Sequence, residues 1–317
     1  MELNIASVVD AAAVAKKPSS PNLKLNLLVA AFLGLVAGLG FAFLLAMLDN
    51  TVNDVEQLQQ IAQIGHLGVS PKVDINDQSS NSKIEDAARK KMMDLIVHRN
   101  PGDAFSESIQ SVRTSLSYAR AGGFPKSIML TSSLASEGKS TVTINLAISC
   151  AKAGKRVIIV EADLRRSRLY KVFKVPSTPG LSDYLVGSKE ARPYKVKQID
   201  NLSVLVGGTK SPNPVDLLGS LEMKELIDKY EKEYDLVIVD CPPVLMLADS
   251  VIVSKMVESV LFVVMAHETP KDAIKGSIQR LRSVGAPLIG TVLNKVQASH
   301  SGYDYNYKYN LDDQDSV

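Results

Sequence analysis

Residues 127–140 read SIMLTSSLASEGKS. The first five form a short apolar run. The last eight, Ser133 to Ser140, fit G-x-x-x-x-G-K-[ST] except that Ser133 stands where the first glycine is expected. A GKS tripeptide alone carries little information. Placed between an apolar strand and an amphipathic helix near 141–153, it predicts a loop whose N–H groups, with the N-terminus of the following helix, cradle phosphates. In that frame the nucleotide-binding residues are Ser136, Glu137, Gly138, Lys139, Ser140 and Thr141. Lys139 reaches the β- and γ-phosphates of ATP, and the Ser140 hydroxyl is a ligand for Mg²⁺.

On both sides of this stretch, apolar runs alternate with charged, periodic ones, the rhythm of a parallel sheet covered by helices. Strands are predicted at 127–131, 156–160, 203–206, 235–239, 259–264 and 288–292, and helices near 105–120, 141–153, 221–232 and 270–283. The expected fold class is α/β, a P-loop NTPase-like parallel sheet with helices on both faces. Two strands run into acidic residues at the carboxyl edge of the sheet, where ligands bind in such folds. One gives VIIVEADLRR, with Glu161, Asp163, Arg165 and Arg166; the other gives LVIVDCPP, with Asp240. Oxygen ligands in octahedral array suit Mg²⁺, so Asp163 and Asp240 are the metal candidates beside Ser140. Asn294, after the last strand, resembles a base-contacting asparagine of the P-loop superfamily, with a turn asparagine as the alternative.

The remaining composition excludes other classes. The chain has 317 residues, 36 basic against 34 acidic side chains and 45% apolar residues, enough to build a sizeable core. A net charge of +2 supplies no global field for gripping a nucleic-acid backbone, so no nucleic-acid partner is expected. Cys150 and Cys241 lie in apolar runs, consistent with buried free thiols in a reducing compartment.

Upstream, residues 25–48 (LNLLVAAFLGLVAGLGFAFLLAML) carry no charge. As a helix they span roughly 36 Å, enough to cross a bilayer with tilt. Ala30, Gly34, Gly38, Ala42 and Ala46 form a stripe of small residues on which another helix could approach. Lys16, Lys17 and Lys24 precede the span and no Lys or Arg follows until Lys72, which by charge bias places the N-terminal side in the cytoplasm. An ATP site on the C-terminal side demands the reverse, and the chemistry outweighs the short-loop count. An amphipathic helix (Val52, Val55, Leu58, Ile61) then leads to HLGVSP at 66–71. Residues 72–104 read as a polar connector with a helix near 84–97. The expected divisions are 1–24, the end of an extracytoplasmic region; 25–48, a transmembrane helix; 49–104, a cytoplasmic helix and linker; 105–298, the catalytic domain; and 299–317, a Tyr-rich tail.

The modified P-loop, EADLRR at 161–166, DCPP at 240–243, GLSDYLVG at 180–187 and SPNPVDLL at 211–218 resemble the bacterial tyrosine kinases of the P-loop type, over about residues 101–298. KKPSSPN at 16–22, the hydrophobic span and HLGVSP resemble the C-terminal end of a polysaccharide co-polymerase, or chain-length determinant, fused ahead of such a kinase. On that resemblance the chain is the C-terminal part of a longer co-polymerase in the bacterial inner membrane, with the kinase domain in the cytoplasm. Lys139, Glu161 and Asp163 become the expected catalytic residues. Tyr303, Tyr305, Tyr307 and Tyr309, spaced every second position in SGYDYNYKYN, become phosphoacceptors for autophosphorylation, in place of an edge strand or a sticky tail. Glu107 and Arg113 match an E-x-x-R-x-x-R oligomerisation motif in which Gln110 replaces one arginine. Glu161 stands where the family generally has aspartate, and LAS stands where the relatives often have Pro-Gly. The resemblance further implies a homo-oligomeric ring, a tyrosine phosphatase, and a polysaccharide polymerase and export machinery as partners.

Two other readings compete. A partitioning or septum-placement ATPase of the same superfamily normally has an additional lysine early in the P-loop, and SLAS has none. A membrane scaffold that binds nucleotide without transferring phosphate is the non-enzymatic alternative.

Overall fold

The computed structural model describes residues 21–73, 93–187 and 190–297. It divides into two units, residues 1–50 and 51–317, taken separately below.

In the first unit, the described residues form one helix, Leu23–Leu48. Its segment Leu23–Leu44 is long and apolar enough to cross a membrane. Leu27, Phe32, Leu39 and Phe43 are exposed within this unit. A helix with large apolar side chains all round has no polar face to offer water. A Cβ added at Gly34 or Gly38 would meet nothing within 4 Å, so the small-residue stripe is open along the helix.

The second unit is built on a mixed, mostly parallel sheet of eight strands, ordered β1-β8-β7-β2-β6-β3-β5-β4. They are β1 (His66–Pro71), β2 (Ser127–Ser132), β3 (Val157–Glu161), β4 (Tyr194–Lys195), β5 (Leu202–Leu205), β6 (Leu236–Asp240), β7 (Ser259–Met265) and β8 (Leu288–Val296). All six predicted strands are present, with ends displaced by at most four residues. Burial explains why they were legible: β2, β3, β6 and β7 are buried at every position, so they read as continuous apolar runs.

Alternate residues serve two cores. Met129, Ile158, Val160, Val237 and Val239 face the helices Val55–Ala62, Leu221–Glu233 and Lys271–Ser283. Ile128, Leu130, Val157, Ile159 and Ile238 face the helices Ala104–Tyr118 and Lys139–Lys152. This is the helix-on-both-faces architecture expected from the sequence.

Two expectations need correction. The sheet is not wholly parallel, because the two-residue β4 pairs antiparallel with β5 at one edge. Residues 51–73, read as helix and linker, belong to the sheet unit: β1 pairs in parallel with β8, from His66 opposite Thr291 to Pro71 opposite Val296. HLGVSP alternates only weakly, and its strand character depends on β8, more than 200 residues away. A Cβ at Gly68 would approach Val112 Cγ2 at 2.6 Å, so the absence of a side chain lets the helix Ala104–Tyr118 lie directly over β1.

The connector was also only partly legible. Its predicted helix near 84–97 falls largely outside the described residues, and the described helix is Ile96–Arg99. Both cysteines are free and buried, as expected.

Candidate active site

The carboxyl ends of β2, β3, β6, β7 and β8 open into one cavity of about 1530 Å³. The loop after β2 forms its floor. Ser136 and Gly138 adopt positive φ, 72° and 86°, which folds the backbone into a tight cradle before the helix begins at Lys139. A Cβ at Gly138 would collide with the Asn294 amide nitrogen, so glycine is required there on two counts.

Tertiary contacts hold this loop in shape. The buried Glu137 carboxylate accepts from Leu134 N at 2.6 Å through Oε2 and from the Thr269 hydroxyl through Oε1. Burial pushes Glu137 above the usual carboxylate range, and these donors oppose the shift. Asn294 Nδ2 donates to Glu137 O at 2.9 Å. The side chain expected to touch the base therefore braces the phosphate loop from β8, while still lining the cavity.

Lys139 is 7% exposed. Its Nζ donates to Asp240 Oδ1 at 2.5 Å and to Ser140 Oγ at 3.1 Å. Asp240 is 1% exposed and also accepts from the Thr143 hydroxyl at 3.3 Å. Its backbone carbonyl accepts from Ala162 N at 2.9 Å and Asp163 N at 3.1 Å, which ties the end of β6 to the turn after β3. Asp163 lines the cavity beside Lys139. Its carboxyl is raised from the ordinary aspartate value, first by burial and further by the Asp240 charge, against the pull of Lys139. A lysine, two carboxylates and the Ser140 hydroxyl thus converge at the mouth of a phosphate cradle.

Glu161 is the exception among the predicted catalytic residues. It is fully buried, and its two oxygens accept from Arg168 N (2.5 Å), Leu169 N (2.9 Å), Gly207 N (2.9 Å) and the Ser167 hydroxyl (2.6 Å). It is absent from the cavity lining. The carboxylate organises the loop after β3, and the expectation that it faces the substrate is corrected on that ground. Burial raises its carboxyl despite the four donors.

The structure adds Asp94, which the sequence reading placed in a connector. It is 2% exposed; Oδ1 accepts from the Thr141 hydroxyl at 3.1 Å, and Oδ2 pairs with Arg168. Asn145 secures this segment by accepting from Val97 N at 3.1 Å and donating to Met93 O at 2.9 Å. MMDLIV carries no motif, so only the fold reveals that Asp94 links the phosphate-loop helix to the loop after β3.

Glu107 and Arg113 lie away from this cavity, on the helix Ala104–Tyr118, bordering a shallow depression with Gln110 and Thr114. Glu107 is exposed, whereas Arg113 Nη1 donates to Ser149 O at 2.8 Å within the chain. Tyr303, Tyr305, Tyr307 and Tyr309 lie outside the described residues. No group of three or more His, Cys, Asp or Glu side chains placed to hold a metal ion occurs among the described residues.

Comparison with known proteins agrees with this geometry. A family model described as an AAA domain matches residues 126–285. The tyrosine-protein kinase Etk of Escherichia coli K12 is 30% identical over 307 residues, covering 94% of this chain and 42% of that protein. The tyrosine-protein kinase Ptk of Acinetobacter johnsonii is 29% identical over 303 residues, covering 95% and 41%. The chain therefore spans about two-fifths of the length of these curated relatives. Among solved structures, the BceF tyrosine kinase domain superposes with a TM-score of 0.68 at 30% identity, covering 78% of this chain and 99% of that one. The kinase domain of Escherichia coli Etk gives 0.69 at 28% identity, covering 79% and 97%.

Proposed function

The chain belongs to the bacterial tyrosine kinases of the P-loop type, and from that premise we propose that it transfers the γ-phosphoryl group of ATP to tyrosines of its own C-terminal segment. The observation that carries this reading is the buried Lys139, held between Asp240 and Ser140 at the mouth of the phosphate loop with Asp163 beside it. Phosphoryl transfer needs little covalent chemistry from the protein; it needs positioning and stabilisation of charge.

The residues fit both nucleotide and metal. The floor of the cavity is backbone folded by positive φ at Ser136 and Gly138, where no side chain at 138 could be accommodated. The acidic and hydroxyl groups beside Lys139 are hard oxygen donors: Ser140, Asp163 and Asp240 would hold Mg²⁺, which would supply positive charge to offset that of the phosphates. Lys139 then exchanges its contact with Asp240 for phosphate. Asp163, raised by burial, orients the tyrosine hydroxyl and accepts its proton late, since a phenol near pKa 10 does not yield its proton early to a carboxylate.

The acceptors in this reading are Tyr303, Tyr305, Tyr307 and Tyr309 of a neighbouring subunit in a homo-oligomeric ring, with Glu107 and Arg113 at the subunit contacts. Each phosphate adds about −1.5 to −2 charge, so a fully modified tail repels its neighbours and loosens the ring. A tyrosine phosphatase resets it. The Leu23–Leu48 helix anchors the assembly in the bacterial inner membrane, where the cycle regulates polysaccharide polymerisation and export.

The test is to incubate the purified full chain in detergent micelles with ATP and Mg²⁺ and to probe for phosphotyrosine, beside Lys139→Met and a variant with the four tail tyrosines changed to Phe. Phosphotyrosine only in the wild type supports the reading. An inert wild type points to the scaffold, and phosphate release without phosphotyrosine points to an ATPase.

A further inference from the structure

Asp94 is buried and has two partners among the described residues: the Thr141 hydroxyl, 3.1 Å from Oδ1, and the Arg168 guanidinium on Oδ2. Its backbone is fastened to the helix Lys139–Lys152. Asn145 of that helix accepts from Val97 N at 3.1 Å and donates to Met93 O at 2.9 Å, and Lys152 Nζ donates to Val97 O at 2.8 Å. Asp94 therefore moves with the helix that begins at the phosphate loop. Arg168 belongs to a different body. Its N–H donates to Glu161 Oε1 at 2.5 Å, which closes residues 162–167 into a loop on the end of β3. Asp163 N donates to Asp240 O at 3.1 Å and holds the start of that loop, and Arg168 holds its end. Within it, Asp163 Oδ1 accepts from Arg166 N at 3.0 Å. Among the described residues the Arg168 side chain has no hydrogen-bond partner other than Asp94. The Asp94 carboxylate is thus the joint between the element that brings Lys139 and Ser140 and the loop that brings Asp163. A buried ion pair contributes little net stability over apolar side chains of the same volume; what it fixes here is distance and direction.

Thr141 lies in the first turn of its helix and lines the cavity. A hydroxyl has one proton to donate, and here Thr141 gives it to Asp94. A phosphate oxygen in the cradle competes for that proton. We propose that Asp94 is a positioning residue that relays occupancy of the phosphate cradle to the loop carrying Asp163, with the Thr141 hydroxyl as input and Arg168 as output. Once the Thr141 proton turns to phosphate, Asp94 is left with Arg168 alone, and a buried carboxylate with fewer donors draws its remaining cation more strongly. The loop after β3 is then held tightest when the cradle is filled, which sets Asp163 against Lys139 and Ser140 at the moment it is needed. Asp94 touches no reacting atom in this scheme and acts through its two partners. The inference rests on the kinase reading for its purpose, yet the relay can be measured without catalysis.

The experiment compares the full chain in detergent micelles with Asp94→Asn, Arg168→Met, Arg168→Lys and the double variant Asp94→Asn/Arg168→Met, each verified as folded by thermal melting. Hydrogen exchange over residues 164–169 is followed by mass spectrometry, with and without a saturating non-hydrolysable ATP analogue and Mg²⁺. In the parent the analogue should slow exchange there about tenfold. Asp94→Asn should cut that slowing to about twofold, while the analogue's affinity stays within about threefold of the parent's. The initial rate of phosphotyrosine formation at saturating ATP should fall about tenfold, with KM for ATP changed less than about threefold. The double variant should be no slower than Asp94→Asn, because both changes cut one path. Arg168→Lys, which keeps the charge and loses the fork, should retain part of the slowing that Arg168→Met abolishes. A role confined to packing would speed exchange equally with and without the analogue, and that result overturns the proposal. So does slowing left intact in Asp94→Asn, or losses that add in the double variant. Slowing abolished by Asp94→Asn in a chain whose parent forms no phosphotyrosine upholds the relay and removes the kinase reading. Phosphotyrosine formed by a parent whose loop exchanges alike with and without the analogue does the opposite.

Discussion

Glu161 and Asp240 end neighbouring strands, face each other in register across the β3–β6 ladder, and are both buried. Their carboxylates nevertheless do different work, and the chain that follows each one explains why. After Glu161 the loop turns back, bringing the N–H groups of Arg168 and Leu169 onto the carboxylate, and Gly207 adds a third. After Asp240 come Cys241, Pro242 and Pro243, and proline has no N–H to give. Asp240 is left to the Lys139 ammonium and the Thr143 hydroxyl. A carboxylate at a strand end becomes structural when its own loop supplies donors, and remains available for chemistry when it does not.

The largest effect that could break this contrast is expected at Asp240. Asp240→Ala strips the buried Lys139 of its counter-ion, which should cost about 3–5 kcal/mol in urea unfolding and reduce tail phosphorylation about 10²–10³-fold. A variant as stable as the parent would mean that the pair contributes nothing. Glu161→Ala should cost less, about 1–3 kcal/mol, because it orphans donors without stranding a charge. Its signature is a lower melting temperature and faster proteolysis around Ser167 to Leu169. If its melting curve were unchanged while phosphotyrosine disappeared, the structural assignment of Glu161 would be wrong.

Gly138→Ala is next, at roughly 1–3 kcal/mol, because its backbone has φ of 86° and the new Cβ meets the Asn294 amide. Fluorescent-nucleotide binding should weaken along with stability. Shortening the clash partner in Gly138→Ala/Asn294→Ala should recover part of the stability, but not the binding, since the brace to Glu137 O is lost.

The smallest effect is expected from Asp163. Burial raises its carboxyl above the unfolded value, so the folded state favours the neutral form. The stability associated with that form is fully present below the unfolded pKa and is lost as pH rises through the folded one. Asp163→Asn should therefore raise the melting temperature slightly at pH 7, with the gain shrinking toward pH 4. Activity follows the opposite course, falling in the parent as acid protonates Asp163.

The motifs found the centre of the site with little help from the fold. Strands buried on both faces announce themselves as apolar runs, and the phosphate loop has a fixed local spacing, so Ser136 to Thr141, Asp163 and Asp240 are legible as neighbours, and they line one cavity. The misses share a different character. β1 was read as linker because its partner β8 and the helix over it are remote in sequence. Asp94 carries no sequence signal because it acts through Thr141 and Arg168, and the structural role of Glu161 is hidden because nothing in EADLRR says which carboxylate the following loop will fold onto.

The sequence by itself determined the α/β rhythm, the apolar helix at 25–48, the phosphate loop and the acidic strand ends, because each depends on residues within a turn or a strand of one another. Only the tertiary structure decided which strand-end carboxylate reaches Lys139, that Asn294 and Thr269 brace the loop, and that Asp94 joins Thr141 to Arg168. Those outcomes depend on donors and charges brought together across dozens to hundreds of residues, where the direction of a side chain is settled by what surrounds it when the core closes.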